Sequence, residues 1–387
     1  MTVARPKDLP AQLWDRVEAS VSALGDETAE AIVAELVSWA QGQHPDRLED
    51  LLDALRARAA YPISIGVLEA AWNSDLSPER MGRVVEDWIG TVKFGLGDDA
   101  GAEIVARHIS DGAAGHGHAF VGDLGHLLLG WEMYALASPL VEAAAEAMPG
   151  DLSAQFNLGV VRKLQADWAA SRRCFETVLR LRPDDQASRW NLGITCTALG
   201  DWAGARTAWT ELGMELPAGD GDFGAEGEIT AIRLPFDDGA GGRGYEVVWG
   251  RRMGPARACL RTIPRFSKLA SYGDIVLLDG VTAGETQLEG ESVAVFPALA
   301  RLEARGAEVM VFRGEDGSTD ACRRADVAVE RLNGEGWPAA DWSSLGTGDG
   351  VCIAVAVEPD RSAQEGALRV AHWCGDLELV RQIEPSN

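Results

Sequence analysis

The chain has 387 residues, a formal net charge of −25 at pH 7 and a hydrophobic content of 46%. This length is enough for on the order of two or three domains, and the hydrophobic content argues against a wholly disordered chain. The negative charge argues against a general nucleic-acid binder, because phosphates attract a basic surface. An acidic surface is typical of a soluble protein, and it also fits a basic partner.

The first residues, MTVARPKDLPAQLWDRV, contain no apolar core of the signal-peptide type, and no uncharged apolar run approaches the length of a membrane span. The cysteines are widely scattered and form no CxxC pair, which argues against a zinc ribbon. We therefore expect free, mostly buried thiols in a reducing compartment. The sequence predicts a cytoplasmic protein without a membrane partner, and its preference for arginine over lysine is typical of bacterial coding.

Residues 7–115 carry apolar side chains at helical spacing, which predicts about six helices. Ser77-Pro78-Glu79 is typical of a helix start, with an N-cap followed by proline in the first turn. Short breaks between the helices predict antiparallel neighbours. We expect residues 1–117 to extend or cap the helical array that follows them.

Four histidines lie close together in the segment RHISDGAAGHGHAFVGDLGH: His108, His116, His118 and His126. Imidazole clusters suit zinc, copper or nickel. No HExxH motif and no cysteine accompanies them, so the sequence predicts no metal site.

A pattern of Asn-Leu-Gly followed by Asp-Trp-Ala occurs twice, and the second copy lies 191 − 157 = 34 residues after the first. A period of 34 aligns five columns over three rows: Leu124-Gly125, Leu158-Gly159 and Leu192-Gly193; Tyr134, Trp168 and Trp202; Ala137, Ser171 and Ala205; Val141, Phe175 and Trp209; Pro149, Pro183 and Pro217. Glycine and the small residue allow two helices to approach closely, and proline ends the unit because it cannot continue a helix. The period predicts an array of helix pairs.

This order of residues resembles the tetratricopeptide repeat (TPR) family, over roughly residues 118–220. The chain departs from the family at two positions, where Gln155 and Arg189 replace the usual tryptophan and Arg162 and Cys196 replace the usual tyrosine. The resemblance implies one helix pair per repeat, stacked into a curved solenoid that binds a protein partner.

In the TPR family, ligand residues lie on the first helix of each repeat and face the concave side. Transferred to this chain, these positions form an apolar groove, and the resemblance yields eight candidate binding residues: His126, Phe156, Asn157, Val160, Lys163, Trp190, Asn191 and Ile194. The family's clamp for a terminal carboxylate is not expected, because its basic residues are missing. Two interpretations remain open: the apolar strip binds a partner, or another part of the chain covers it.

After Pro217 an acidic, glycine-rich linker leads into short runs rich in β-branched residues. The runs EITAIRL, YEVVWG, ARACLRTI, DIVLLDG, SVAVF, AEVMVF, VCIAVAVE, LRVAHW and LELVRQI predict strands, and residues 297–305 and 319–332 are predicted as helices. The fold class is therefore a multidomain protein: a helical N-terminal part of about two thirds of the chain, then an α+β domain over 228–387 with a mixed or antiparallel sheet. A division of that domain near residue 290 is an alternative.

The stretch from Arg251 to Lys268 contains no acidic residue, in contrast to the whole chain. Three of its arginines form a candidate anion site: Arg257, Arg261 and Arg265. The alternative is that these arginines dock against the protein's own acidic helical region.

No phosphate-binding loop, GxSxG motif or kinase motif is present, so the sequence predicts no catalytic residue and no cofactor. Our leading hypothesis is an adaptor that binds a protein or peptide through the apolar groove. The first alternative is an immunity-type inhibitor of a basic toxin, and the second is an enzyme activity in the C-terminal domain. No nucleic-acid partner is expected, and the oligomeric state stays open.

Overall fold

The computed structural model describes residues 5–6, 9–22, 26–40, 47–74, 76–224, 227–237, 243–288, 290–305, 307–313, 329–330, 332–333, 338–341, 352–357, 362 and 378–383. The chain divides into two compact units, Met1–Val161 and Arg162–Asn387. The predicted domain boundaries at 117, 220 and 228 stay predictions.

The first unit is built of helices that pack around one apolar core. Its helices are α1 (Ala11–Ser22), α2 (Asp26–Ala40), α3 (Arg47–Ala57), α4 (Tyr61–Trp72), α5 (Pro78–Gly90), α6 (Asp99–Gly112), α7 (His118–Gly130), α8 (Tyr134–Ala147) and most of α9 (Leu152–Leu164). A π-helical segment, Thr91–Gly95, continues α5. None of the described helices combines the length and the apolar character that a membrane span requires.

Helix α5 shows how the sequence forms these elements. Ser77 occupies the N-cap with extended backbone angles, and Pro78 fits the first turn because that position needs no intrahelical hydrogen bond from its nitrogen. The buried face of α5 carries the apolar residues that recur at helical spacing: Met81, Val84, Val85, Trp88 and Ile89. The described residues before position 117 form six α-helices, in agreement with the prediction of about six.

The period of 34 residues is confirmed as a repeat of helix pairs. The first helices of the pairs begin at His118, Leu152 and Gln186, and the second helices begin at 134, 168 and 202. Each helix therefore starts 34 residues after the corresponding helix of the preceding pair. Three helices of this series lie in the second unit: α10 (Trp168–Leu181), α11 (Gln186–Ala198) and α12 (Trp202–Glu211).

Aspartate side chains fix several of these helix starts. Asp167, Asp185 and Asp201 each accept a hydrogen bond from the backbone N–H three residues further on, at distances of 3.0, 2.7 and 2.9 Å. Such caps satisfy N–H groups that the helix itself leaves without a partner.

The turn inside each pair places one residue in the left-handed region. Glu132, Ala166 and Gly200 have φ angles of 62°, 58° and 68°, and they occupy the same repeat position. Only the third copy uses glycine, which adopts this conformation without a steric penalty.

The glycines of the first and third Leu-Gly motifs, Gly125 and Gly193, lie against the large residue of the same pair. A Cβ atom added to Gly193 would lie 2.5 Å from the Trp209 ring, and one added to Gly125 would lie 2.7 Å from Val141 Cγ2. The absence of a side chain therefore allows the two helices of a pair to pack closely.

The second unit contains α10 to α12 and two sheets. The strands of the first sheet are β1 (Ile229–Asp237), β2 (Arg243–Arg252), β3 (Arg257–Leu260), β4 (Ile275–Leu278), β5 (Glu285–Leu288) and β6 (Glu291–Glu303). Neighbours in the order β1-β2-β3-β4-β6 pair antiparallel, and β6 returns to pair parallel with β1, so five strands close on themselves. Strand β5 pairs with the start of β6.

The second sheet has the order β10-β7-β9-β8, and its described pairs are antiparallel. Its strands are β7 (Glu308–Arg313), β8 (Ala339–Asp341), β9 (Cys352–Val357) and β10 (Glu378–Ile383). The prediction of helices followed by a strand-rich region is confirmed. The predicted helix over 319–332 lies almost entirely outside the described residues, and the predicted strand over 368–373 lies wholly outside them.

Two expectations for this region need correction. Residues 297–305 are not a helix, because Ala298, Ala300 and Arg301 pair with β4 and residues 291–303 form one continuous strand. Strand pairing here overrides the helical preference of alanine and leucine. In addition, the prediction of a mixed or antiparallel sheet did not include closure: Ala231 pairs with Val295, so the first sheet closes on itself and is not a typical mixed sheet.

Candidate functional site

A groove of about 790 Å³ opens between α5 and α7 in the first unit. Its apolar lining includes Val85, Phe120, Leu124 and Trp131. This volume lies within the range of about 300–1,000 Å³ that is typical of ligand sites.

Two glycines keep the groove open. Gly82 on α5 and Gly130 at the end of α7 line it, and a Cβ atom added at either position would meet no atom within 4 Å. Because neither glycine has a positive φ, steric strain does not explain its presence. The missing side chains instead leave space that a ligand can fill.

The charged groups on the groove are mainly acidic. Glu79, Glu86 and Asp123 line it together with one arginine, Arg83. The Arg83 guanidinium already lies 2.5 Å from Glu49 and 3.6 Å from Glu79. The groove therefore combines an apolar lining with a negative rim, an arrangement that attracts a positively charged ligand.

An exposed aromatic side chain extends the apolar surface beyond the groove. The Phe94 ring is 67% exposed and lies 6.1 Å, edge to face, from Trp131, which lines the groove. Large exposed aromatic groups next to a pocket are typical of protein-binding surfaces.

Four of the predicted binding residues lie near this groove or on the next first helix of the array. His126 lines the groove, and its Nδ1 atom donates to Asn157 Oδ1 on α9 over 3.0 Å. Phe156 and Val160 are half-buried on α9. Partner binding at these residues stays a prediction.

Two other histidines of the cluster, His116 and His108, lie near aromatic rings. His116 lies 4.8 Å from Trp72 and 5.0 Å from Phe120, and His108 lies 6.0 Å from Trp88, as measured between ring centroids. Within the described part of the chain, no group of three or more histidine, cysteine, aspartate or glutamate side chains is arranged to hold a metal ion.

In the second unit, the chain's own sheet lies against the predicted binding residues of α11. Ile194 is fully buried in an apolar cluster with Leu277 of β4. Trp190 packs edge to face on Trp209 at 5.1 Å, and it lies so close to Gly280 that no side chain could be added there. In this structure Ile194 therefore has no surface to offer a partner.

Lys163 and Asn191 form a polar contact beside these residues. Lys163 Nζ donates to Asp279 Oδ1 and to Asn191 Oδ1, each over 2.8 Å, and the Lys163 side chain is only 3% exposed. The segment after β4 thus supplies a carboxylate to a lysine that the sequence assigned to the groove.

The three arginines of the candidate anion site have different environments. Arg257 is buried, donates two hydrogen bonds to the Asp222 carboxylate, one of 2.8 Å, and lies 4.6 Å from the Trp202 ring. The Arg257 guanidinium holds the pKa of Asp222 below its usual range. Arg261 is exposed, and Arg265 lies over the Phe266 ring at 5.0 Å. Anion binding by these residues stays a prediction.

Three cysteines, Cys174, Cys196 and Cys259, are free and buried. Burial raises the pKa of each thiol, and for Cys196 the pKa rises to about 11. The thiolate is the reactive form, so the raised pKa and the burial of these thiols disfavour their reaction at neutral pH.

The sequence analysis missed the α5 half of the groove, although a signal was present. Helices α5 and α7 both have 13 residues. They place glycines at matching positions, Gly82 with Gly122 and Gly90 with Gly130, at an offset of 122 − 82 = 40. The π-helical segment and the loop after α5 lengthen this pair, so a search with a period of 34 does not align it.

Comparison with known proteins gives little further guidance. The chain matches no protein-family model and no curated protein sequence. Among solved structures, a double mutant of MamA from RS-1 is 18% identical, with 45% of this chain and 94% of that chain covered and a TM-score of 0.34. MamA from Desulfovibrio magneticus RS-1 is 20% identical, with 45% and 95% covered and a TM-score of 0.34. A monomeric mutant of IFIT1 is 12% identical, with 52% and 49% covered and a TM-score of 0.32. Similarities this low carry no argument about fold or function.

Proposed function

We propose that this protein is an adaptor that holds a basic, amphipathic segment of a partner protein in the groove between α5 and α7. The observation that carries the proposal is the apolar lining beneath an acidic rim, left open by Gly82 and Gly130. Apolar side chains of the partner would fill the groove, and lysine or arginine side chains would face Glu86 and Asp123.

The location of the groove also supports this proposal. Residues of α11, which the sequence placed in the binding strip, pack against the chain's own β4. The α5–α7 groove has no such cover among the described residues of the first unit, and Phe94 extends its apolar surface. Binding energy would come from burial of apolar surface, and the acidic rim would favour basic partners over acidic ones.

Filling the groove tests the proposal. In Gly82→Leu a side chain would occupy the groove without an internal clash, and leucine also favours the helix more than glycine does. The probe is a fluorescent peptide of lysine and leucine whose leucines recur at helical spacing and form one face, and the readout is fluorescence anisotropy. We expect Gly82→Leu to weaken binding at least about tenfold, since the peptide loses its apolar site.

The matched control is Gly150→Leu, at an exposed glycine of the same unit where an added Cβ also meets nothing within 4 Å. It should bind the peptide like the wild type. A double charge reversal, Glu86→Lys with Asp123→Lys, should lower the affinity for the basic peptide. It should raise the affinity for the corresponding peptide of glutamate and leucine. Equal affinity of the wild type and Gly82→Leu would falsify the proposal.

A further inference from the structure

One face of the β1–β2 hairpin in the second unit forms a surface distinct from the groove. Along both strands, the even-numbered residues Ile232, Leu234 and Val248 pack in the core of the first sheet. The odd-numbered residues therefore lie on the opposite face, because strand side chains alternate. We call this surface, with one residue that follows β3, the hairpin face: Ile229, Arg233, Tyr245, Val247, Trp249, Arg251 and Arg261.

The register brings apolar and basic residues of this face together. Ile229 pairs with Arg251, and Arg233 pairs with Val247. The backbone N–H of Arg261 donates to the carbonyl oxygen of Trp249 over 2.8 Å, which places Arg261 beside β2. Arginine, tyrosine and tryptophan are the residue types that contribute most to binding energy in protein interfaces.

The apolar members of the face are open to solvent. Val247 is 47% exposed and Ile229 is 48% exposed. The Arg233 guanidinium lies 4.2 Å from the Tyr245 ring, so the basic group extends along the aromatic side chain. Exposed aliphatic side chains beside arginines offer both apolar area and charge to a partner.

The charge of the face is opposite to that of the whole protein. Three of its residues are arginines against one exposed carboxylate on the same side, Asp237 at the end of β1, whereas the whole chain carries a net charge of −25. The arginines have contacts of their own, and Arg251 Nη1 donates to the Gly227 carbonyl over 3.1 Å. Contacts of exposed arginines are weak and can be exchanged for those of a ligand, because water competes for them.

We propose that the hairpin face docks an acidic segment of a partner protein that also carries aliphatic side chains. Carboxylates of that segment would bind the guanidinium groups of Arg233, Arg251 and Arg261. Its aliphatic side chains would cover Val247 and Ile229. A single-stranded nucleic acid fits less well, because a protein with a net charge of −25 repels a polyanion.

This inference does not depend on the α5–α7 groove. The two surfaces lie on different units and prefer partners of opposite charge. Together they would allow one chain to hold a basic segment and an acidic segment. The groove variant Gly82→Leu should therefore leave binding at the hairpin face unchanged.

The test uses the full chain and a fluorescent peptide of alternating glutamate and leucine residues, with anisotropy as the readout. We expect the wild type to bind this peptide, and Val247→Asp to weaken binding at least about tenfold, since it removes apolar area and repels the carboxylates. The matched control is Val281→Asp, at a valine that is 72% exposed in the same unit, and it should bind like the wild type. Circular dichroism checks the fold of each variant.

If Val247→Asp does not fold, Arg251→Ala replaces it, with the same expectation of weaker binding. Addition of salt should also weaken binding of the glutamate–leucine peptide, because salt screens its ionic contacts with the arginines. Three outcomes would overturn the inference: no binding of this peptide, equal binding by Val247→Asp and the wild type, or preferential binding of oligodeoxythymidylate that Val247→Asp abolishes.

Discussion

Lys163 Nζ lies 2.8 Å from Asp279 Oδ1, although the two residues are 116 positions apart in the chain. Their side chains are only 3% and 13% exposed. Removal of the lysine would leave a carboxylate that is largely shielded from water. We expect Lys163→Met to lower the free energy of unfolding by about 3–5 kcal/mol, as measured by urea denaturation.

Two further variants show whether the Lys163–Asp279 pair differs in energy from an exposed ion pair. Lys93 pairs with Asp99, whose side chain is 80% exposed, so Lys93→Met should cost less than about 1 kcal/mol. The double variant Lys163→Met with Asp279→Asn should regain part of the lost stability, because no buried charge remains. A double variant less stable than Lys163→Met alone would contradict this account.

Glycine 193 should not tolerate alanine. A Cβ atom there would lie 2.5 Å from the Trp209 ring, and Trp209 is fully buried and cannot move aside freely. Gly193→Ala should therefore destabilise the protein by about 1–3 kcal/mol, as read from thermal unfolding. The control is Gly82→Ala, where nothing lies within 4 Å and helix propensity should raise stability by up to about 1 kcal/mol. Similar effects of the two variants would show that the contact with Trp209 is unimportant.

Alanine 166 is held in the left-handed region, with φ at 58°. Glycine relieves the clash between Cβ and the carbonyl oxygen, so Ala166→Gly should stabilise the protein by about 0.5–1 kcal/mol. The matched control, Ala143→Gly, changes an exposed residue within α8 and should destabilise by about 1 kcal/mol. Opposite signs in the two melting-temperature shifts are the expected result, and a loss of stability in both would refute the strain argument.

The Asp222 carboxylate should contribute to the pH dependence of stability. The hydrogen bond from the Arg257 guanidinium is the main cause of its lowered pKa, and the backbone N–H of Gly224 lowers the pKa further. Because the unfolded pKa is about 3.9, the stabilisation should be complete above roughly pH 5 and be lost as the pH falls through the lower folded value.

The comparison of wild type with Asp222→Asn measures this contribution. The difference between their free energies of unfolding should stay constant from about pH 5 to 8 and shrink below about pH 4. Asp220 is an exposed neighbour in the same segment. The variant Asp220→Asn therefore shows how much the removal of one surface charge alone changes the free energy of unfolding. A difference that grows towards acid pH would have the wrong sign.

Local sequence signals predicted the helical part well. The offset of 34 agrees with the spacing of the helix starts, and in two pairs the motif glycine meets the large residue of the second helix, Gly125 with Val141 and Gly193 with Trp209. The α5–α7 groove was missed, since its pair has a longer connection and its most informative residues are glycines. A glycine such as Gly82 indicates a binding groove only when the structure shows open space beside it.

The strand-rich part was predicted in outline. Short apolar runs located most strands, but Pro297 to Arg305 has the composition of a helix and was assigned as one. Closure of the first sheet depends on the parallel pair of Ala231 and Val295, and no local pattern reports a contact over such a separation. For the same reason, the cover over Ile194 stayed an open alternative until the position of Leu277 was known.

That cover has a consequence for synthesis of the protein on the ribosome. Leu277 follows Ile194 by 277 − 194 = 83 residues. At a translation rate of about 5–20 residues per second, the apolar side of α11 waits on the order of 4–17 s before its partner strand has been made. During this interval the growing chain presents Trp190 and Ile194 to the cell, so we expect nascent chains halted before β4 to be held by chaperones and full-length chains to be released from them.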